Sequence, residues 1–175
     1  QHNFRTTCDT EAVLHLFEDK GPETAAALDG MFAFAVADND QLYLARDPIG
    51  IKPLYVGERE GGMIFASELK ALAGLADKVS EFPAGTWYHS GSGFHTYYEI
   101  PDLQPLEMSV EDHCRRIRRV LEESVTKRLM SDVPLGAFLS GGLDSSLIAA
   151  IARPQVDELH TFSVGIEGSN DLAAA

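Results

Sequence analysis

Residues 136–166 constrain the fold of this chain more than any other stretch. GAFLS (136–140) reads as a short buried strand, Gly141-Gly142 as a loop, Leu143 to Ala152 as a helix and LHTFSVGI (159–166) as a second strand. Two strands joined through a helix pair in parallel, because the crossover carries the chain back to its starting edge. A parallel-sheet α/β unit is therefore expected at the C-terminal end. The chain leading into it agrees. Ser109, three residues before Asp112, predicts a helix cap. Val110, Cys114, Ile117, Leu121, Val125 and Leu129 then recur on one face of a long helix that Pro134 prevents from continuing.

The first hundred residues follow a different pattern. TEAVLHLFEDK (10–20) suits one short helix, ended by Gly21-Pro22. MFAFAVA (31–37) is a continuous apolar run, expected to be a strand buried on both faces and followed by a turn at Asp38-Asn39-Asp40. QLYLAR (41–46) alternates and supplies the partner strand. RDPIGIKPLYVGE forms a structured loop leading into a strand, and MIFAS follows a Gly61-Gly62 turn. TWYHSGSGFHTYY (86–98) reads as a hairpin. The two architectures meet in IPDLQPLEMS, a proline-bearing connector near residues 100–108. Domains are expected over 1–100 and 109–175.

Composition narrows the function. With 45% apolar residues a packed core is available, and 14 basic against 27 acidic side chains give a net charge of −13. Nucleic-acid binding needs a basic face, so it is not expected as the main role. The one basic cluster, Arg115, Arg116, Arg118 and Arg119, reads as a solvated helix face. No apolar run is long enough to span a bilayer. Cys8 and Cys114 lack metal-type spacing, which fits a reduced, cytoplasmic setting. None of the six histidines stands at metal-like spacing with another ligand. The chain opens on Gln1 rather than Met and stops at Ala175 soon after a strand-like run, so a piece of a longer protein is expected.

The loop SGGLDSS (140–146) carries the chemistry. A strand that ends in a glycine turn and opens a helix gathers free backbone N–H groups at a positive helix end, which attracts phosphate. Asp144 would repel phosphate unless a cation lies between them. Mg²⁺ takes carboxylate and phosphate oxygens together, so a Mg-nucleotide is expected. The loop has no lysine and is too short for the GxxxxGK[ST] pattern. The plain structural reading is a small-residue turn in which Asp144 is a dipole-favoured acid of the first helical turn.

These residues resemble a known family. SGGLDSS is similar to the SGGxDS pyrophosphate loop of the N-type ATP pyrophosphatases. GMFAFAVAD, ARDPIGIKPLY, FASELKAL, EFPAG and DVPLGAFLSGGLDSS resemble, in the same order, the glutamine-hydrolysing asparagine synthetases. The resemblance implies part of an α+β N-terminal-nucleophile hydrolase-type layered sheet domain, followed by part of an α/β parallel-sheet adenine nucleotide hydrolase-like domain. It implies that Leu139, Ser140, Gly141, Gly142, Asp144, Ser145 and Val164 hold ATP and pyrophosphate. Asp144 would also meet the metal. Leu139 and Val164 would act through their backbones only. Asp9 would receive the α-amino group of glutamine, and it is also well placed to cap the helix starting at Thr10. Arg46 and Asp47 are expected to shape the loop before Gly50.

Neither Cys8 nor Cys114 is expected to be the nucleophile. The family's N-terminal cysteine, its glutamine-binding arginine and its oxyanion-hole asparagine-glycine precede Gln1, so no catalytic residue is expected within these 175 residues. Aspartate-binding residues and a late glutamate and lysine would follow Ala175. The implied ligands are glutamine, aspartate, ATP and Mg²⁺, with neither nucleic acid nor membrane as partner, and with room for a homodimer of the full-length protein. Three other readings stand beside this one: a β-lactam or macrolactam synthetase with a different acceptor acid, a tRNA-modifying pyrophosphatase, and a binding module that has lost catalysis.

Overall fold

A computed structural model describes residues 2–166 and 168–174; Gln1 and Ala175, on which the expectation about the chain's ends rests, lie outside them. The chain divides into two compact units, Gln1–Leu103 and Gln104–Ala175.

The first unit opens with α1 (Asp9–Lys20), α2 (Thr24–Ala27) and a single 3-10 turn between them. α1 ends at Gly21, which is followed by Pro22 at the start of that turn. Seven strands follow: β1 (Ala33–Asp38), β2 (Gln41–Arg46), β3 (Tyr55–Arg59), β4 (Gly62–Ala66), β5 (Lys78–Glu81), β6 (Thr86–His89) and β7 (Gly93–Thr96). They form two antiparallel sheets, ordered β1-β2-β6-β7 and β4-β3-β5. The β1–β2 hairpin turns at Asn39, whose φ is +52°, with Asp38 opposite Gln41 and Ala33 opposite Arg46.

One expectation needs correction here. The apolar run 31–37 was expected to be a strand buried on both faces, but β1 is an edge strand and only half-buried. The doubly buried strand is β2, which lies between β1 and β6. Its alternation serves two cores. Leu42 and Leu44 face a cluster with Leu54, Val56 and Phe82. Tyr43 and Ala45 face another with Ala25, Phe17, Phe34 and Trp87. An alternating pattern marks two environments, and here both are apolar. Phe17 brings α1 onto this second core, its ring 5.0 Å from that of Tyr43. Fully buried rings such as Phe82 each contribute about 2–3 kcal/mol through burial.

The second unit holds α3 (Val110–Thr126), β8 (Gly136–Phe138), α4 (Leu143–Ala152), β9 (His160–Phe162) and a short α5 (Asn170–Ala174). Ser109 Oγ accepts from the Asp112 amide at 3.1 Å, the expected cap. The helix stops at Thr126, well before Pro134, and Leu129 lies beyond its end. β8 and β9 pair in parallel, Gly136 opposite His160 and Phe138 opposite Phe162, across the α4 crossover, but β8 is not the buried strand expected, since Phe138 is 85% exposed. Arg115 pairs with Glu111 and Asp112, and Arg119 with Glu123, on the solvated face expected for the basic cluster.

Candidate functional site

The glycine loop sits where β8 gives way to α4. Gly141 has φ +76°, a left-handed conformation that costs glycine nothing and other residues a steric clash. Gly142 is the N-cap of α4 and brings no side-chain cap. The first-turn N–H groups of α4 are therefore left without a side-chain acceptor, and they carry the positive end of the helix dipole. The hydroxyls close on the loop itself. Ser140 and Ser145 Oγ lie 3.0 Å apart, Ser145 Oγ accepts from the Ser140 amide at 3.2 Å, and Ser146 Oγ donates to the Gly142 carbonyl at 2.8 Å. They hold the loop's shape and occupy the amides of Ser140 and Gly142, the latter on Ser140 Oγ at 3.4 Å, while the first-turn amides of α4 keep no side-chain acceptor.

Asp144 is exposed, lies in the first turn of α4, and makes no hydrogen bond or ion pair among the described residues. Leu139 is half-buried, and its amide donates to the Phe162 carbonyl at 2.9 Å. Its own carbonyl accepts from Ser163 Oγ at 2.7 Å. Ser163 thus ties the end of β9 to the loop, a role that no motif in the sequence announces. Val164 is 96% exposed, so its side chain packs in no core of this unit. Leu139, Ser140, Gly141, Gly142, Asp144, Ser145 and Val164 all lie at or just beyond the carboxyl ends of β8 and β9. Open parallel sheets bind their ligands there.

In the first unit, Asp9 is not the cap of α1. Cys8 occupies that position and contributes no capping side chain. Asp9 is the first helical residue, exposed, with Oδ1 3.5 Å from the Thr10 hydroxyl and 3.7 Å from Cys8 Sγ. The chain before it is held by Glu11. That carboxylate accepts from the Arg5 amide and the Thr6 amide at 2.7 Å each, and from the Thr6 hydroxyl at 2.5 Å. The Thr6 hydroxyl first, then the Arg5 amide, hold the Glu11 carboxyl down at about 2. Glu11 is thus the residue that shapes the approach to Asp9, and it was missed because its partners lie outside the helix. Both cysteines are free and exposed.

Arg46 and Asp47 are structural, as expected. Arg46 donates to the carbonyls of Lys52, Phe82 and Gly50 and to Glu81, at 2.6–2.8 Å. The fully buried Asp47 accepts from the amides of Ile51 and Lys52 at 2.8 and 2.9 Å. Together they fold the Asp47–Lys52 loop onto itself.

Residues 1–74 match the family model of a glutamine amidotransferase domain, and residues 116–175 that of asparagine synthase. The chain is 43% identical to an asparagine synthetase [glutamine-hydrolyzing] 2 of Arabidopsis thaliana, over 99% of this chain and 32% of that protein. It is 42% identical to asparagine synthetase B [glutamine-hydrolyzing] of Escherichia coli (strain K12), over 100% of this chain and 35% of that protein. Over nearly its whole length the chain is similar to glutamine-hydrolysing asparagine synthetases. It spans about a third of the length of these relatives. Asp9 falls in the amidotransferase match, and the whole glycine loop in the asparagine synthase match. A solved glutamine phosphoribosylpyrophosphate amidotransferase from B. subtilis is 20% identical, with a TM-score of 0.49, over 98% of this chain and 44% of that one.

Proposed function

We propose that this chain serves the ATP-dependent, glutamine-hydrolysing synthesis of asparagine. Residues 109–175 belong to the synthetase part and residues 1–100 to the glutaminase part. In the synthetase part, a carboxylate oxygen of the aspartate side chain displaces pyrophosphate from the α-phosphorus of ATP, giving β-aspartyl-AMP. Ammonia released from glutamine then attacks the acyl carbon and expels AMP. The Ser140–Ser145 loop holds the pyrophosphate through backbone N–H groups at the α4 N-terminus. The backbones of Leu139 and Val164 border the adenine nucleotide. Asp9 receives the α-amino group of glutamine.

The observation that carries this reading is the pairing of uncapped amides at the start of α4 with a free carboxylate in the same turn. An anion alone would suit the amides and be repelled by Asp144. A magnesium-bound phosphate suits both, since Mg²⁺ prefers carboxylate and phosphate oxygens. When bound, Mg²⁺ neutralises phosphate charge, and Asp144 is the residue that would meet it.

Equilibrium dialysis of ATP with this chain tests the reading. ATP with Mg²⁺ is expected to bind, and Asp144→Ala to weaken binding by at least about tenfold, the worth of one charged contact. With EDTA present the two proteins should bind ATP equally poorly. Equal binding by Asp144→Ala in Mg²⁺, or no binding by the unsubstituted chain, would refute the assignment of the loop. Neither glutamine hydrolysis nor asparagine formation is expected from these 175 residues alone; asparagine formed from aspartate, ATP and glutamine would overturn that.

A further inference from the structure

The histidines looked scattered in sequence, yet two of them meet in the fold. His2 and His15 stack with ring centroids 4.5 Å apart and 21° between their planes. Both turn Nδ1 toward the same oxygen of Glu18, Oε2, at 3.2 Å from His2 and 2.9 Å from His15. His15 and Glu18 are three residues apart on α1, hence neighbours on one helix face. We propose that His2, His15 and Glu18 form a site for a divalent transition-metal ion, zinc above all, which pins the N-terminal segment to α1.

Two features point to a metal beyond mere proximity. The first is spacing. Zinc bonds of about 2.0–2.2 Å in tetrahedral geometry separate neighbouring ligand atoms by roughly 3.3–3.5 Å. The two observed nitrogen–oxygen distances, 3.2 and 2.9 Å, are slightly shorter, as expected where a proton occupies the place of the ion. The second is the outer ring of partners. Histidine ligands present one nitrogen to a metal and donate the other N–H to a carboxylate, which fixes ring orientation. Here His2 Nε2 lies 2.9 Å from Asp19 Oδ1. His15 Nε2 lies 3.4 Å from Glu11 Oε1 and is buried without a formed hydrogen bond. A metal on Nδ1 would fix the proton on that nitrogen, facing Glu11.

The donor set names the ion class. Two imidazoles and one carboxylate suit zinc, cobalt, nickel or copper better than magnesium or calcium, which take oxygen ligands. Glu11, Glu18 and Asp19 surround the two imidazoles with negative charge that a divalent ion, replacing a proton, offsets. Stacked rings do not aim their lone pairs at one point. The site therefore forms by opening the rings from their 21° stack, with water completing the coordination.

The test uses the 175-residue chain without a polyhistidine tag, with Zn²⁺ alone as probe in a non-chelating buffer at neutral pH. Calorimetry should show one Zn²⁺ per chain. His2→Gln and His15→Gln should each weaken binding by at least about tenfold, and Asp19→Asn by about ten- to a hundredfold. His160→Gln, in the other unit, should leave it unchanged. Imidazole ¹⁵N shifts of the unsubstituted chain should move at Nδ1 of both His2 and His15, a readout that needs no variant to fold. No saturable binding, binding that survives either histidine substitution, or shifts at Nε2 instead would each overturn the site.

Discussion

Replacing Arg46 by lysine keeps the charge and removes the fork. Arg46 is 5% exposed, and its guanidinium donates to three backbone carbonyls, those of Lys52, Phe82 and Gly50, and to Glu81. The four acceptors are divided among Nε, Nη1 and Nη2, with no more than two on any one nitrogen, so the single lysine nitrogen, placed where one of them stood, serves at most two of the four. At least two acceptors then lose their partner, at about 1–2 kcal/mol each, so the expected loss is about 2–4 kcal/mol. Against a typical total of about 5–15 kcal/mol this is a large fraction.

Trp87 is the only tryptophan of the chain and lies in the first unit, stacked on His95 with ring centroids 4.0 Å apart. Its fluorescence therefore follows the unfolding of that unit alone. With a urea slope of about 1.5 kcal/mol per molar, the midpoint should fall by about 1.3–2.7 M. Glu81→Gln is the control. Its side chain is 62% exposed, so the ion pair with Arg46 is largely screened and should contribute less than about 1 kcal/mol. If Arg46→Lys costs less than about 1 kcal/mol at unchanged slope, water replaces the lost donors and the clamp is not what holds the loop. If Glu81→Gln costs as much as Arg46→Lys, the ion pair matters and the carbonyl contacts do not.

Three further outcomes follow from the same reading. Gly85 has φ +61°, and a Cβ there would stand 2.3 Å from the Tyr98 carbonyl oxygen. Gly85→Ala should therefore lower the first unit's stability by about 3 kcal/mol or more, combining backbone strain with a clash that no side-chain rotation relieves, as read by the same urea titration. Ser109→Ala removes the N-cap of α3 and should destabilise that helix by about 1 kcal/mol, measurable by amide hydrogen exchange in its first turn. The Ser109 hydroxyl first, then Arg115, hold the Asp112 carboxyl below its usual range. A lowered carboxyl contributes stability above its unfolded value and loses it as pH falls through the folded value, so the start of α3 should loosen only below about pH 4. Carboxyl NMR titration of Asp112 checks this, and a midpoint at or above the unfolded value would refute it.

How much could be read in advance depended on how far the chain travels to complete each feature. The α3 cap, the β8–α4–β9 crossover and the β1–β2 hairpin each close within a few residues or one element, and periodicity revealed them. β5 stayed hidden because KVSE is short and mixed, and it becomes a strand only by pairing with β3. β1 looked more buried than it is because apolar content shows that a strand has a core side, not how many neighbours the sheet gives it. Asp9 was placed as a cap because its residue type suits that position. The helix begins one residue earlier than the apolar spacing indicates, since Cys8 takes the extended backbone of the cap.

The candidate sites divide along the same line. The glycine loop is made of backbone, so its sequence nearly states its form: glycines permit the turn, small hydroxyls brace it, and an acid stands in the first helical turn, where the proposed function has it meet a cation-bound phosphate. The His2–His15–Glu18 cluster is made of side chains delivered by two separate segments. Its spacing in sequence, with twelve residues between the histidines, carries no metal-binding pattern. Only the return of residues 2–8 along α1, held by Glu11 on the amides of Arg5 and Thr6, sets His2 beside His15. The same carboxylate faces His15 Nε2 and shapes the approach to Asp9. Glu11→Gln would keep the size of the side chain and remove the charge that serves both. If the two arrangements depend on one residue, this substitution should loosen Arg5–Thr6 in hydrogen exchange and weaken Zn²⁺ binding together. Loss of one without the other would show them to be independent.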